Sequence, residues 1–477
     1  MIGWIILALL IVLVAVVLLR AAAFKPKDEK RAETVPVEYS EEHAIETLRQ
    51  MVMCKTVSYY DPEKVDEGEL EKFRQLLKDR FPKLNETCEL KRFDRTGVLY
   101  RWKGKNEGDP TVLMSHYDVV PVEEEQWDKP PFAGIIEDGV LWGRGTLDNK
   151  NTLCGIMEAA ENLISQGFVP DKDIYFAFAG DEEINGTGAD AIVSYFKECG
   201  IRPALVLDEG GAVVEGVFPG FAGKMAAVGV AEKGLMDVEF ITKSKGGHAS
   251  APPPHGPVGY LAQTVVNVEK HPFRFQLTKP IAEMFDTIGR RSSFAMKLVF
   301  ANLWLFKPVL NMLTKKSGGE LNAMMRTTVA FTTMDGSKAS NVIPPQAKVG
   351  ANMRLMGTDT PESAVAYLKQ IVNNPDIEIV PLRASNPSPN SSTDSDGWKR
   401  VKNAVEQTWT DAVVTPYLMI QCSDSRHYNR ITDNIYKFSC AEMSKEERGS
   451  IHGNNEKIPV DKIGLTVAFY MRLMQLC

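Results

Sequence analysis

Three short apolar runs divide the first half of the chain, and each is followed at once by charged or imidazole side chains. The runs are Thr111–Met114, Ile174–Phe178 and Ala204–Leu207. Each is continuous and rich in β-branched, aromatic or other apolar residues, which is typical of a strand buried on both faces. Helical stretches at Asn151–Gln166 and Ala189–Glu198 separate them. This alternation predicts an α/β sheet that is covered on both faces.

The pattern changes after about Val230. Strands of alternating polarity such as Met236–Lys243 combine there with helices such as Glu362–Val372, which indicates a compact α+β unit. A turn-rich connector, Ser385–Gly397, precedes a return to the α/β pattern. We therefore predict an α/β domain interrupted by an inserted domain. The predicted boundaries are an apolar segment 1–23, a linker 24–40, the α/β domain 41–230 and 385–477, and the insertion 231–384.

The N-terminal residues Ile2 to Leu19 are uncharged and almost wholly apolar. About 20 apolar residues cross a bilayer as a helix, so this segment is long enough for a single membrane span. The alternative is a signal peptide cleaved at Ala21-Ala22-Ala23, but no Lys or Arg precedes the apolar run and Arg20 adjoins the cleavage site. We predict an uncleaved anchor. The basic residues that follow it favour a cytoplasmic position for the rest of the chain.

A second apolar stretch, Phe294–Leu313, lies inside the insertion. Lys297, Lys307 and Pro308 argue against a second membrane span. We predict a buried helix in an enlarged inserted domain. The alternative is an exposed apolar surface that contacts a membrane or an acyl chain.

Acidic and imidazole side chains follow the predicted strands. His116 and Asp118 follow the first, Glu182 and Glu183 the second and Asp208 the third, and Asp148 lies at a glycine-flanked bend between them. Ligands bind outside the carboxyl ends of strands in open α/β sheets, so these side chains should converge. A lone Asp after a strand is usually a turn residue, whereas four such motifs in order predict a metal site. Nitrogen and oxygen ligands without cysteine suit Zn²⁺, with Mn²⁺ or Co²⁺ as alternatives.

Charge and cysteine content exclude two further classes. The net charge is -7 and the chain has no dense Lys/Arg block, which argues against a nucleic-acid partner. The seven cysteines are scattered and never form a CxxC pair, so they indicate neither a disulfide framework nor a structural zinc site.

Seven motifs carry a resemblance to a known family. In chain order they are SHYDVVP, WGRGTLDNK, GDEE, LDEGG, GGHASAPP, NVIPPQAKVGANMR and IHGNNE. Together they resemble the zinc metallopeptidase family that includes aminoacylase, bacterial glutamate carboxypeptidase and succinyl-diaminopimelate desuccinylase. The similarity is greater to the subgroup of carboxypeptidase S and N-fatty-acyl-amino-acid synthase/hydrolase. Each motif alone is weak, but seven in family order are highly specific. The resemblance implies a mixed-sheet di-zinc exopeptidase domain interrupted by a lid and dimerisation domain, and therefore a homodimer.

The resemblance also implies a set of metal ligands for two zinc ions per subunit. Asp148 would bridge the two ions, and the peptide bond that follows it would be cis. His116 and Asp208 would complete one site, and Glu183 and His452 the other.

Further roles follow from the same resemblance. Glu182 would be the general base, and Asp118 would orient His116. From the inserted domain His248 would hold the substrate's oxyanion, often in the neighbouring subunit's site, while Asn341 and Arg354 would hold its carboxylate. Without the resemblance, a surface arginine is the simpler interpretation of Arg354. Arg426 is a weaker carboxylate candidate.

These features predict a zinc-dependent amide hydrolase acting on a C-terminal peptide bond or an N-acyl amino acid. Deacylation of N-fatty-acyl amino acids is a narrower form, favoured by Phe294–Leu313 and the apolar N-terminus. Aminopeptidase or dipeptidase specificity stays open, because the same metals can cleave at either end. The competing class is a non-catalytic, membrane-tethered binding protein. Such a protein should lack a ligand or the base, and this chain has all of them.

Overall fold

The first part of the chain contains most of one large sheet. The computed structural model describes residues 1–27, 30–218 and 220–477. Its elements up to residue 232 are α1 (Ile2–Ala23), α2 (Glu41–Val52), α3 (Glu67–Arg80), α4 (Pro82–Thr87), β1 (Glu89–Phe93), β2 (Gly97–Trp102), β3 (Thr111–His116), β4 (Ile135–Glu137), β5 (Val140–Trp142), α5 (Lys150–Ser165), β6 (Ile174–Ala179), α6 (Gly188–Glu198), β7 (Leu205–Glu215) and β8 (Lys224–Glu232).

The rest of the chain adds a second sheet and then returns to the first. The middle elements are β9 (Gly234–Lys243), β10 (Gly247–His248), α7 (Pro257–Lys270), α8 (Lys279–Gly289), α9 (Phe294–Phe300), α10 (Leu303–Ser317), α11 (Gly319–Met324), β11 (Thr328–Asp335), β12 (Val342–Ile343), β13 (Gln346–Leu355), α12 (Pro361–Val372) and β14 (Ile377–Ala384). The last elements are α13 (Asp396–Thr408), β15 (Val413–Met419), β16 (Ile435–Glu442), α14 (Lys445–Ser450), β17 (Lys457–Pro459) and α15 (Val460–Gln475).

The large sheet has eight strands in the order β1-β2-β6-β3-β7-β16-β8-β15. It is mixed, because β3 runs parallel to β6 and β7 whereas β2 runs antiparallel to β6. Successive residues of a strand face opposite sides. Leu113 accordingly packs in the cluster that includes α5 and α15, while Val112 and Met114 pack against α6. The prediction of an α/β sheet covered on both faces is therefore confirmed.

The second sheet has four antiparallel strands in the order β11-β13-β9-β14. Helices α7 and α12 cover one face through a separate apolar cluster that includes Phe240, Leu261, Met353 and Leu368. Not all of the helices between β9 and β11 belong to this cluster. Helices α8 to α11 contribute their buried residues to the cluster of the large sheet instead.

The prediction for Phe294–Leu313 was wrong. The segment forms two helices, α9 and α10, and not one buried helix of the inserted domain. Phe300 and Leu310 do pack into the large cluster, but Phe294, Trp304 and Met312 are more than half exposed. A chain with one buried and one exposed apolar side gives the same unbroken apolar run as a buried helix, so its composition could not separate the two.

The N-terminal helix α1 is the one helix, among the described residues, that is long and apolar enough to cross a membrane. None of its most apolar stretch is buried in the protein. A signal sequence satisfies the same criteria of length and composition, so both interpretations of this segment stay open.

Candidate active site

The carboxyl ends of β3 and β6 meet at one edge of the large sheet, and β7 passes this edge just after its pairing with β3 ends at Leu207. In the parallel register His116, the last residue of β3, lies opposite Ala179, the last residue of β6. The chain then turns through Asp181 into a short 3-10 helix, Glu182–Ile184. Because parallel strands point the same way, the side chains that follow β3 and β6 are brought together at this edge.

Asp148 lies between two imidazoles at this edge. Its Oδ1 is 2.9 Å from Nε2 of His116, and its Oδ2 is 3.1 Å from Nε2 of His452. The peptide bond between Asp148 and Asn149 is cis, as the motif resemblance implies. One carboxylate thus joins a residue of the central strands to a residue near the C-terminus.

Two further carboxylates complete the cluster. Glu183 places an oxygen 3.0 Å from Nε2 of His452. Glu209 places Oε2 3.4 Å from Nε2 of His116. His116, Asp148 and Glu183 form one group whose ligand atoms lie close enough to share an ion, and His116, Glu182 and Glu209 form a second.

Asp208 lines a small cavity together with His116 and Glu182, and one of its carboxylate oxygens is held by a neighbouring loop. Its Oδ2 accepts a hydrogen bond of 2.9 Å from the backbone N–H of Ser425. The neighbouring Glu209 approaches His116 in its place. The cause is an irregularity in β7, since Lys437 of β16 pairs with Asp208 whereas the next residue, Phe438, pairs with Gly211. The two intervening residues leave the regular alternation, and Glu209 turns towards the histidine.

Asp118 fixes the first histidine. Nδ1 of His116 lies 3.1 Å from the carbonyl oxygen of Asp118 and 3.3 Å from its Oδ1, so Nε2 is left to face the cluster. The two carboxylate oxygens of Asp118 also accept hydrogen bonds of 3.1 Å from the backbone N–H groups of Glu182 and Glu183. This fully buried carboxylate therefore orients both the imidazole and the turn that carries the acidic pair.

Glu456 has a similar positioning role that the sequence analysis missed. Its side chain is fully buried and accepts a 2.6 Å hydrogen bond from Arg144. It also accepts backbone N–H bonds from Gly145, Leu147 and Asp148 at 2.7 to 3.1 Å. The motif that contains His452 thus holds the bend that carries Asp148. Three acceptor bonds to one loop could not be inferred from a single Glu at the end of IHGNNE.

Burial and close contacts raise the pKa values of several groups in the cluster. Burial and the nearby Glu209 carboxylate raise the pKa of Glu182 well above its ordinary value. Burial also raises the pKa of Glu209 to about 8. Hydrogen bonds to Asp148 and Glu183 raise the pKa of His452 to about 10. Divalent cations displace protons from such groups, and this donor set of nitrogen and oxygen atoms fits a metal site.

A cleft of about 520 Å³ opens on the cluster. Asp148, Glu182, Glu183, Glu209 and His452 all line it. The rest of the lining, here called the apolar wall, is mainly apolar. That wall includes Phe218, Met225, Met284, Leu321, Met324 and Met443.

The predicted substrate-binding residues are divided between two places. Arg354 on β13 donates to Sγ of Cys422, which lines the cleft, so its guanidinium adjoins the site. Arg426 donates a hydrogen bond of 3.1 Å to the carbonyl oxygen of Ser423, the residue that follows Cys422. His248 on β10 and Asn341, the residue before β12, are instead exposed, and neither lines the cleft.

A comparison with protein-family models matches residues 112–476 to the model described as Peptidase family M20/M25/M40. The chain belongs to this family. The matched region contains every cluster residue, and the family resemblance inferred from the seven motifs is confirmed. As a peptidase of the M20 family with a metal-ligand cluster, the chain is a metal-dependent amide hydrolase.

Relatives and solved structures agree with this assignment to the M20 family. The chain is 35% identical to a Dictyostelium discoideum protein named "Probable carboxypeptidase S-like 2", over 90% of this chain and 84% of the relative. It is 33% identical to the Xenopus tropicalis "N-fatty-acyl-amino acid synthase/hydrolase PM20D1", over 98% and 93%. The fold matches the M20 family metallo-carboxypeptidase Sso-CP2 of Sulfolobus solfataricus with a TM-score of 0.67, 17% identity and coverage of 91% and 98%.

Proposed function

We propose that this hydrolase cleaves the amide bond of N-acyl amino acids that carry a long apolar acyl group. The observation that carries the proposal is the lining of the cleft, which combines the polar cluster with many apolar side chains. An N-acyl amino acid has the same division, since its amide and carboxylate are polar and its acyl chain is not. The names of the two relatives support both a carboxypeptidase and an N-fatty-acyl-amino acid hydrolase.

The proposed metal ligands follow the contacts of the cluster. We assign His116, Asp148 and Glu209 to one zinc ion and Asp148, Glu183 and His452 to the other. This assignment replaces Asp208 by Glu209. Bound zinc would lower the pKa of water and polarise the amide carbonyl.

Glu182 is the proposed general base. It lines the cleft, and its carboxylate lies beside His116 and Glu209, where an attacking water could bind, whereas the carboxylate of Glu183 contacts His452. Burial raises the pKa of Glu182 above that of an ordinary carboxyl group, and this direction suits a group that must both accept and return a proton. Glu182 takes the proton of the attacking water and delivers it to the nitrogen of the leaving amino acid.

Substrate selection is assigned to residues around the cleft. Arg354, which adjoins Cys422 at the cleft, would pair with the carboxylate of the amino acid. His248 and Asn341 lie outside the cleft of their own subunit, so we propose that His248 acts on the oxyanion in the site of a second subunit. The four-stranded sheet with α7 and α12, which is part of the predicted insertion 231–384, would then provide the dimer contact and the lid.

We propose that α1 anchors the protein in a membrane as a single span. The proposal is supported by its length, its apolar composition and the absence of buried residues in its most apolar stretch. A mature chain that begins after Ala23 would identify it as a signal sequence instead.

The substrate proposal is tested by hydrolysis of amino acids with acyl chains of increasing length. Each methylene that leaves water contributes up to about 0.8 kcal/mol, so kcat/KM should rise by at most about fourfold per methylene until the wall is covered. Leu321→Glu should remove this dependence and leave the rate on the acetyl compound unchanged. Leu90→Glu, at an exposed site on β1, is the matched control and should change neither. A preference for the acetyl substrate would contradict the proposal.

A further inference from the structure

The last turns of α1 are in direct contact with the helices that follow Arg290. Nδ2 of Asn302 donates a 3.1 Å hydrogen bond to the carbonyl oxygen of Val17. The guanidinium of Arg20 donates to the carbonyl oxygen of Ala301 at 2.9 and 3.1 Å. Ala21 is buried, and Leu13 and Val17 are partly buried on the same side of α1. The junction of α9 and α10 therefore lies beside α1 itself, and not beyond its end.

The contact with Val17 sets the depth of this junction. The helix α1 has 22 residues, and at 1.5 Å per residue its length is about 33 Å. A bilayer has a hydrocarbon core of about 30 Å, so nearly the whole helix is needed to cross it. Val17 precedes the last residue of α1 by six positions, or about 9 Å. A group that bonds Val17 of an inserted α1 must lie within the leaflet.

The exposed side chains of α9 and α10 are largely apolar, as a position within the leaflet requires. The large apolar side chains among them are 43 to 62% exposed, an unusual concentration for a surface in contact with water. They are Phe294, Trp304, Val309, Met312 and Leu313. Exposed lysines, Lys307, Lys315 and Lys316, accompany them on α10. Apolar side chains with tryptophan and lysine are typical of a helix that lies in the interface of a bilayer.

We propose that α9 and α10 form a hairpin embedded in the membrane leaflet next to the end of α1. The inference rests on the proposed membrane insertion of α1 and is independent of the catalytic proposal. The buried side of the hairpin contacts the lining of the cleft. The ring centroid of Phe300 lies 5.1 Å from that of Phe218, which lines the apolar wall. Two elements thus hold the enzyme against the bilayer, and one of them contacts the apolar lining of the cleft.

The test uses the full-length chain in vesicles of phosphatidylcholine and phosphatidylserine. Cys199, the exposed cysteine of the seven, is replaced by serine, and an environment-sensitive fluorophore is attached to a single new cysteine. Leu9→Cys reports on α1 and Met312→Cys on the hairpin. Leu90→Cys is the control, because β1 forms the edge of the large sheet opposite β15, the strand against which α8 packs, and α8 in turn contacts α9. The Cys199→Ser parent measures background labelling, and retained hydrolytic activity shows that each variant is folded.

We expect the labels at positions 9 and 312 to shift to shorter emission wavelengths and to be quenched by lipids with a nitroxide on the acyl chain. The label at position 90 should do neither. A label at 312 that behaves like the one at 90, while position 9 is quenched, overturns the hairpin and leaves the anchor intact. A label at 312 that shifts without nitroxide quenching indicates coverage by a second copy and also overturns the inference. If position 9 is not quenched, the anchor fails together with the hairpin.

Discussion

At the scale of single residues, the site depends on Asp148, whose two oxygens face different histidines. His116 and His452 are far apart in sequence, and this carboxylate is the side chain that contacts Nε2 of both. Burial opposes its ionisation, but the hydrogen bonds from both imidazoles hold its pKa below the ordinary range. A bridge between two cations requires an ionised carboxylate whose two oxygens point in different directions, and Asp148 has this arrangement.

Replacing the proposed base separates chemistry from metal binding. Glu182→Gln should lower kcat by about 10²- to 10⁴-fold, the usual contribution of general acid–base catalysis. The metal content, measured by mass spectrometry of the purified protein, should not change. Glu183→Gln is the paired variant and should lose metal, because Glu183 contacts His452. Full activity of Glu182→Gln would exclude the mechanism.

The neighbouring acids of β7 offer a second paired test. Glu209→Gln should reduce the metal content from two ions towards one, since Glu209 faces His116. Asp208→Asn should keep both ions, because the amide oxygen can still accept the bond from Ser425 N–H. The reverse result would restore Asp208 as the ligand and show that β7 changes its conformation when metal binds.

At the scale of elements, a buried hydrogen-bond network joins the turn before β17 to the bend between β5 and α5. Glu456 and Arg144 form its charged pair, and both are almost fully buried. Burying a charge is costly, so such a pair contributes chiefly by its geometry and is sensitive to the loss of one partner. The network explains how a C-terminal histidine reaches a site built on the central strands.

Breaking this network should destabilise the whole protein. Glu456→Gln leaves Arg144 buried without its counter-charge, which should lower the free energy of unfolding by about 3–5 kcal/mol. Urea unfolding measures the change. The control is Glu446→Gln. Glu446 is exposed and lies 3.4 Å from Nζ of Lys457, so the loss of this ion pair should cost at most about 1 kcal/mol. Equal losses in the two variants would show that the network is not a stabilising unit.

At the scale of the whole molecule, the proposed substrate-binding residues lie in different places. Arg354 on the four-stranded sheet adjoins the cleft, whereas His248 on β10 and Asn341, just before β12, are exposed at a separate two-stranded sheet. A site supplied by two subunits accounts for this separation without a change within either sheet.

Complementation between inactive variants tests that arrangement. His248→Ala and Glu182→Gln should each be inactive alone. If His248 acts in the partner's site, dissociating and reassociating a mixture of the two should restore activity, because a mixed dimer holds one site with both residues intact. A mixture that stays inactive, although mixed dimers are detected by mass, would place His248 in the site of its own subunit.

Local patterns predicted a substantial part of this fold. The apolar runs around Leu113, Phe176 and Leu207 are strands of the large sheet, and the helices between them were predicted within a few residues. Strand-end position predicted that His116 and Glu183 would lie together, because parallel strands share one carboxyl edge. These inferences need only the spacing of apolar residues along the chain and the direction of its strands.

The sequence by itself thus determined the α/β class, the family and the clustering of acidic and imidazole side chains. Only the tertiary structure decided which acid of β7 faces His116, because that depends on an irregular pairing with β16. It also decided the role of Glu456, since a charge can be buried only where several donors from a distant loop converge on it. The exposed side of α10 is the third case: an apolar run records that a helix avoids water, but the packing of its neighbours decides which side is covered by protein.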